Sequence, residues 1–373
     1  MNTLKNTGKI IVEQRKSLMT FSFCLVLLVL FQVSVPAQAQ PVPTPPKISP
    51  RPRPTPRTPV ATTPTQPAAT PEPKTKRKVE NTSEGPAEKS IAVDEKVNIS
   101  LCVSSGALKV NGWDRNEIRA YVDGGSSVGF KVLQADKINK KAAWVKVLGF
   151  DPQKNKEPDL DECLEGKSIE LDVPFGATIN VKSKESEISV DSVGKVRIEN
   201  GSGGINLRNI TQGVPLAKTF EGDITVEEVR GPVNLFTSVG KIIVYDAGPN
   251  EIGEVFRAQS RSGAISLQNV AHTDLEVSST TGSLRFTGAL EEGGQYKFNT
   301  ISGSIVLALQ PDVSCKVTAT YGGYFETQIS FKEILHDIGP NGIHKILALI
   351  GTGEAALTVT TYNGSILIKP NKK

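Results

Sequence analysis

The sequence predicts an all-β chain wound as a parallel β-solenoid from repeats of roughly 20 residues, and three observations carry that expectation. Apolar and polar residues alternate over short runs, one such run recurs from Ile179 to Ile368, and each copy turns at a glycine where the apolar parity switches. With the glycine as position zero, apolar residues stand at minus seven, minus five, plus two and plus four, and a small polar residue stands at minus three. Around Gly203 these are Val196, Ile198, Ile205 and Leu207 with Asn200; around Gly263 they are Phe256, Ala258, Ile265 and Leu267 with Ser260. Gly222, Gly240, Gly282, Gly303 and Gly364 fit the same frame, and Ser186 heads a degenerate copy. Zero positions from 186 to 303 are separated by 17, 19, 18, 23, 19 and 21 residues. A unit of two short strands cannot bury its apolar face alone, so copies must stack and share a core. The frame assigns glycine to a corner that needs backbone freedom and predicts that the minus-three residues stack on their equivalents in adjacent copies.

The elements before the repeats follow in order. Basic Lys5, Lys9, Arg15 and Lys16 precede an apolar run from Leu18 to Val35 and a small-residue site, Ala37-Gln38-Ala39. This reads as a signal peptide over residues 1–39, cleaved before Gln40. The alternative is an uncleaved anchor, which would be the chain's only membrane attachment. Both readings place the rest of the chain in the periplasm, at the cell surface or outside the cell. Residues 40–90 form a Pro-rich linker: residues 41–74 hold 13 prolines in 34 positions, too many for a core. Such a stretch reaches on the order of 100 Å in an extended polyproline II form.

Residues 91–170 read as an N-terminal β cap with the first strands, and residues 171–369 as the solenoid proper. Ile99, Leu101, Gly106, Leu108 and Val110 fit the frame before the segment Gly112-Trp113-Asp114-Arg115-Asn116-Glu117. An opening unit of this kind covers an edge that would otherwise invite aggregation. The acidic loop from Asp151 to Gly166 matches no calcium-loop spacing and reads as solvated charge. Cys102 and Cys163 are candidates for a disulfide in an oxidising compartment. With Gly322 as a further zero position, Cys315 falls at minus seven and reads as a core thiol. Residues 325–350 break the frame and read as an excursion that caps the far end or covers one face; His336 and His344 within it read as surface histidines.

Charge divides along the same line. Residues 1–80 hold 12 Lys or Arg and 3 Asp or Glu, leaving 31 and 36 for the remainder. The folded part is therefore acidic, which argues against nucleic acid as its partner.

The segment from Gly112 to Glu117, the Leu171-Asp172-Val173-Pro174 entry, the recurring Ser-Gly-x-Ile-x-Leu turns and the closing Thr361-Tyr362-Asn363-Gly364-Ser365-Ile366 resemble the bacterial putative-adhesin family of exported β-strand-repeat proteins. The resemblance spans roughly residues 91–369. It implies a β-solenoid, export and a binding role; it supplies no catalytic residues.

Two function classes are in view. One is a non-enzymatic envelope or surface protein whose regular face binds an envelope polymer, glycan or protein. The other is a polysaccharide-active lyase or hydrolase, which needs carboxylates or a metal converging on one face. The outward positions plus one and plus three give no stacked acidic cluster: Asp223 and Thr225, Lys241 and Ile243, Ala264 and Ser266, Ser283 and Arg285, Ser304 and Val306. No catalytic residue, metal ligand or cofactor is expected. The candidate binding face is the outward row at minus six and minus four: Arg257 and Gln259, then Glu276 and Ser278, then Lys297 and Asn299.

Overall fold

The computed structural model describes residues 87–137, 140–150 and 162–371. All of them fall in one compact unit, residues 78–373. The proposed signal peptide, almost all of the Pro-rich linker and the acidic stretch 151–161 lie outside the described residues.

The described chain is all-β. Its opening strands are β1 (Ala87–Trp113), β2 (Glu117–Asp123), β3 (Ser127–Ala135), β4 (Ala142–Phe150) and β5 (Leu164–Pro174). The repeats supply β6 (Thr178–Val193), β7 (Lys195–Ser202), β8 (Ile205–Ile210), β9 (Val214–Glu221), β10 (Ile224–Arg230), β11 (Val233–Val239) and β12 (Ile242–Gly248). They continue as β13 (Val255–Ser262), β14 (Ile265–Val270), β15 (Asp274–Thr281), β16 (Leu284–Gly288), β17 (Gln295–Ser302) and β18 (Ile305–Leu309). The far end holds β19 (Cys315–Tyr321), β20 (Phe325–Thr327), β21 (Lys332–Ile338), β22 (His344–Ile350), β23 (Ala355–Asn363) and β24 (Ile366–Pro370).

From β7 to β18 each strand pairs in parallel with the strand two places away, so strands before the glycine form one ladder and strands after it another, both headed by the long β6. The first runs β6, β7, β9, β11, β13, β15, β17. The second runs β6, β8, β10, β12, β14, β16, β18. Between them lie the residues the frame assigns to the core: Ile205, Ile224, Ile242, Ile305, Leu235, Phe256 and Phe298 are 0 to 1% exposed. Full burial of each such side chain is worth about 1.5–3 kcal/mol.

The expected all-parallel winding fails at both ends, where the sheet is mixed. β2 pairs antiparallel with β1 and β5, and β3 with β4. At the far end β22 pairs antiparallel with β19, and β21 with β22. The excursion therefore extends the far edge, with only the short β20 turning back onto β24.

Rung order also departs from chain order. β1 lies between β5 and β6, and β23 lies between β17 and β19. In space the rung of Gly364 follows that of Gly303, and the rung of Gly322 lies beyond it. At the other end the carbonyl of Gly166, which the sequence leaves in the acidic loop, likewise lies against Gly106, but the buried Ile169 and Leu171 follow it at plus three and plus five because the register of β1 with β5 shifts there.

The glycine column has a steric cause. A Cβ added to Gly222 would lie 2.2 Å from the carbonyl oxygen of Gly203, and one on Gly263 would lie 1.8 Å from that of Gly240. At these glycines the rungs approach too closely for a side chain, whereas the first copy admits Ser186 in the same column. The minus-three residues, in turn, do not simply stack on one another. Thr219 Oγ1 donates to Gly203 O at 3.1 Å, Thr237 to Gly222 O at 3.0 Å, Ser260 to Gly240 O at 3.1 Å and Thr300 to Gly282 O at 3.1 Å. Each small polar side chain thus satisfies the carbonyl of the preceding rung inside the core, where an unpaired acceptor is costly.

A second bend follows at plus six. Ser192, Asn209, Glu228, Asp246 and Asn269 all have left-handed backbones, with φ from 52 to 59°. Asn and Asp tolerate that region better than most residues. The parity switches again, so that Val193, Ile210, Val229, Ala247 and Val270 at plus seven are buried.

Candidate functional site

Because minus seven, minus five and minus three point inward along one strand, minus six and minus four must point out. On the first ladder these positions form two columns perpendicular to the strands. The sequence-predicted row is held in register: Arg257 faces Glu276, which faces Lys297, while Gln259, Ser278 and Asn299 align beside them. Arg257 Nε lies 3.2 Å from Glu276 Oε2. Two of this row's three charges are therefore matched to each other, as an exposed pair of small energetic weight. Gln259, Ser278 and Asn299 instead open, with Thr360 and Tyr362, onto a shallow hollow of about 370 Å³.

The larger concavity lies on the same face at the opposite end, where β4, β1, β6 and β7 run side by side. It has a volume of about 820 Å³ and is lined by Asn98, Ser100, Gln134, Trp144, Lys146, Asn180, Lys182, Arg197 and Glu199, among others. Its outward grid is set by register: Trp144 stands opposite Asn98, Lys146 opposite Ser100, Ser100 opposite Asn180, and Asn180 opposite Arg197. Trp144 is 42% exposed, and its Nε1 donates to Ser100 Oγ at 3.1 Å, which fixes the indole across the groove. Arg197 pairs with Glu199 at 2.7 Å on the same strand. Lys182 and Arg197 stand at minus four of Ser186 and minus six of Gly203, so the frame already marks them as outward. Trp144 carries no such mark, because its neighbours come from distant strands.

A disulfide joins Cys102 to Cys163, with Cα atoms 4.6 Å apart, and Cys102 lines this groove. Cys315 is buried in the far rungs, and burial pushes its thiol up to about 11.

The second ladder presents a different surface. Asp191 accepts from Arg208 Nε at 2.9 Å. Desolvation, the largest single influence, pushes the Asp191 carboxyl up, but hydrogen bonds from Arg208 and Ser192 and the charges of Arg208 and Lys109 together hold it below its ordinary value. The equivalent pair of Arg119 with Asp172 lies near the opening end. These are structural ion pairs between rungs. His272 is buried, with Nε2 2.9 Å from Gly231 O, and desolvation lowers its pKa. His336 and His344 meet at the far hairpin, Nε2 3.3 Å from Nδ1. Among the described residues no group of three or more His, Cys, Asp or Glu is placed to hold a metal ion. Asp191, His272, Tyr296, Cys315 and Tyr321, whose titration is displaced, all lie away from the groove lining.

No family model matches the chain, and no curated protein does. Three solved structures are similar to it at low identity. One is a "putative cell adhesion protein" from Clostridium sporogenes, 12% identical over 77% of this chain and 100% of that one, with a TM-score of 0.18. Another is a "putative adhesin" from Bacteroides fragilis, 12% identical over 77% and 98%, with a TM-score of 0.27. The third is a "putative lipid binding protein" from Parabacteroides distasonis, 11% identical over 77% and 97%, with a TM-score of 0.31. Superpositions this loose carry no argument about ligand or activity.

Proposed function

We propose that this chain is an exported, non-enzymatic binding scaffold of the cell envelope or surface. In this reading residues 1–39 direct export and residues 40–90 act as a spacer. Residues 91–170 cap a solenoid built from 171–369, whose first-ladder face meets an extended partner. The observation that carries it is the column of outward, mostly polar side chains on that face, from Asn180 and Lys182 on β6 to Thr358 and Thr360 on β23, interrupted by Leu216 and Phe236 and by one register shift between β9 and β11. Side chains repeating at the ~4.8 Å strand spacing suit a polymer with a repeat of its own. The face offers many weak polar contacts and two concavities, which is a binding geometry.

A polysaccharide-active enzyme is the alternative, and it needs paired carboxylates flanking the bond to be cut. Among the described lining residues of the large groove Glu199 is the one carboxylate, and it is engaged by Arg197.

The test is retention of the purified chain on envelope polysaccharide and peptidoglycan fractions. The wild-type chain is expected to be retained without releasing reducing or unsaturated ends. Arg257→Ala combined with Lys297→Ala is expected to weaken retention with little change in melting temperature. Absence of retention on every fraction, or turnover of any of them, would overturn the proposal.

A further inference from the structure

The geometry points to the Trp144 groove as a subsite for an anionic glycan, one whose pyranose units carry carboxylate or phosphate groups. This rests on the binding-scaffold reading above and assigns it a ligand class and a place.

Two features of the groove act on different parts of such a ligand. The indole of Trp144 is held by Ser100 and presents an exposed ring to the cavity. A flat aromatic face suits the C–H face of a pyranose ring, which is apolar and turns its hydroxyls sideways. Those hydroxyls then meet the amides of Asn98 and Asn180, which stand beside the indole across β1 and β6. This combination of an apolar platform with a few convergent polar groups is what small-ligand sites share, and 820 Å³ is ample for a short oligosaccharide.

Charge selects among glycans. Lys182 and Arg197 line the groove, with Lys146 beside them, and Glu199 is the one carboxylate among its described lining residues, while the chain from residue 81 onward holds 31 basic against 36 acidic residues. A cationic groove on an acidic fold attracts acidic groups locally while the wider surface repels a dense polyanion. The same sign disfavours the chain's own Pro-rich segment as occupant, because Lys47, Arg51, Arg53 and Arg57 stud it with positive charge.

The experiment is calorimetric titration of the full purified chain with four probes: oligoalginate, phosphomannan oligomers, neutral dextran oligomers and polyglutamate. At least one acidic glycan is expected to bind, with dextran and polyglutamate both weaker by about tenfold, equivalent to ~1.4 kcal/mol. Trp144→Ala is expected to weaken the acidic glycan by about tenfold or more, with Trp144→Phe recovering part of the loss. Lys182→Ala with Arg197→Ala is expected to weaken it and to flatten its salt dependence. A melting temperature within a few degrees of wild type shows that each variant folds.

Equal binding of polyglutamate would reduce the groove to a patch of charge, and equal binding of dextran would remove the charge selection; either overturns the inference. So does unchanged affinity in a folded Trp144→Ala chain. If envelope fractions still retain that chain and retention falls instead with Arg257→Ala and Lys297→Ala, the scaffold reading survives and this subsite fails. If no fraction and no probe binds, both fail. Tighter glycan binding on removal of residues 40–86 would show that the chain's own segment occupies the groove.

Discussion

Thr361 Oγ1 donates to the carbonyl oxygen of Gly303 at 2.8 Å, across 58 positions of sequence. The same bond joins Thr300 to Gly282 across 18 positions. The second separation is one repeat; the first skips a whole rung and an excursion, yet ends on an identical contact. The ladder of minus-three side chains on glycine carbonyls thus sets where a rung docks, independently of when it is made. Replacing Thr361 by Val keeps the shape and leaves the Gly303 carbonyl without its side-chain donor. A loss of about 1–3 kcal/mol is expected in urea melts, with Thr361→Ser close to wild type. Equal stability of the Val and Ser variants would show that the bond contributes nothing.

The glycine column makes a sharper prediction. Gly263→Ala places a Cβ 1.8 Å from the Gly240 carbonyl, a clash with backbone that no side-chain rotation relieves. Gly253, where an added Cβ meets nothing within 4 Å, has φ +89° and is the control for backbone strain without crowding. Gly263→Ala should lower the melting temperature well beyond Gly253→Ala. Similar effects would mean that conformation, and not rung spacing, explains the column.

Inward and outward positions should differ within one strand. Ile265 and Ile305 are 1% and 0% exposed, so truncation to Ala is expected to cost about 2–5 kcal/mol each. Ser266→Ala, on the outer side of the same strand as Ile265, should cost within about 0.5 kcal/mol. Urea midpoints that shift alike for all three would contradict the register.

Reduction of the Cys102–Cys163 link, which spans 61 positions, should cost about 2–4 kcal/mol by freeing the unfolded chain. Cys102→Ser with Cys163→Ser should match the reduced wild type, and the double variant should no longer respond to reductant. Buried Cys315, with its raised pKa, should resist alkylation in the folded chain.

His272 predicts a pH dependence. Desolvation by burial is the main cause holding its pKa below the ordinary value, outweighing the hydrogen bond with Gly231. Its Nδ1 is buried with no partner, so a proton added there would find no acceptor. The unfolded chain takes up this proton more readily than the folded one. Stability from the neutral ring is therefore complete above the unfolded value of about 6.5 and is lost as pH falls below it, with a slope of at most ~1.4 kcal/mol per pH unit. Comparison of wild type with His272→Gln from pH 7.5 to 5 checks this: the stability difference between them should narrow toward acid. A constant difference would refute it.

The repeat frame was legible because two constraints act on each copy at once. Val196, Ile198, Ile205 and Leu207 had to face one core, and Gly203 had to pass a neighbouring carbonyl, so both left a periodic trace. The plus-six bend left only a weak trace, since Ser192, Asn209, Glu228, Asp246 and Asn269 share a backbone shape and not a residue type. Rung order left none: Cys315, Val317 and Ala319 read as the next rung, and only pairing with β23 shows them one place further out. For the site, the alignment of Arg257, Glu276 and Lys297 followed from period alone. The groove did not, because Trp144 and Ser100 are 44 positions apart and meet through the parallel pairing of β4 with β1.

The placement of β23 between β17 and β19 bears on how the molecule carries load. A last-made rung stacked on the outside would peel away one hydrogen bond at a time under tension. β23 is bonded along both edges, from Gln295 to Ser302 on one side and from Cys315 to Tyr321 on the other. Force applied along it must break both rows together, as in withdrawing a bolt from between two plates. A chain tethered at one end and attached to a surface at the other would feel that resistance as a rate of unfolding, set by the barrier and not by overall stability.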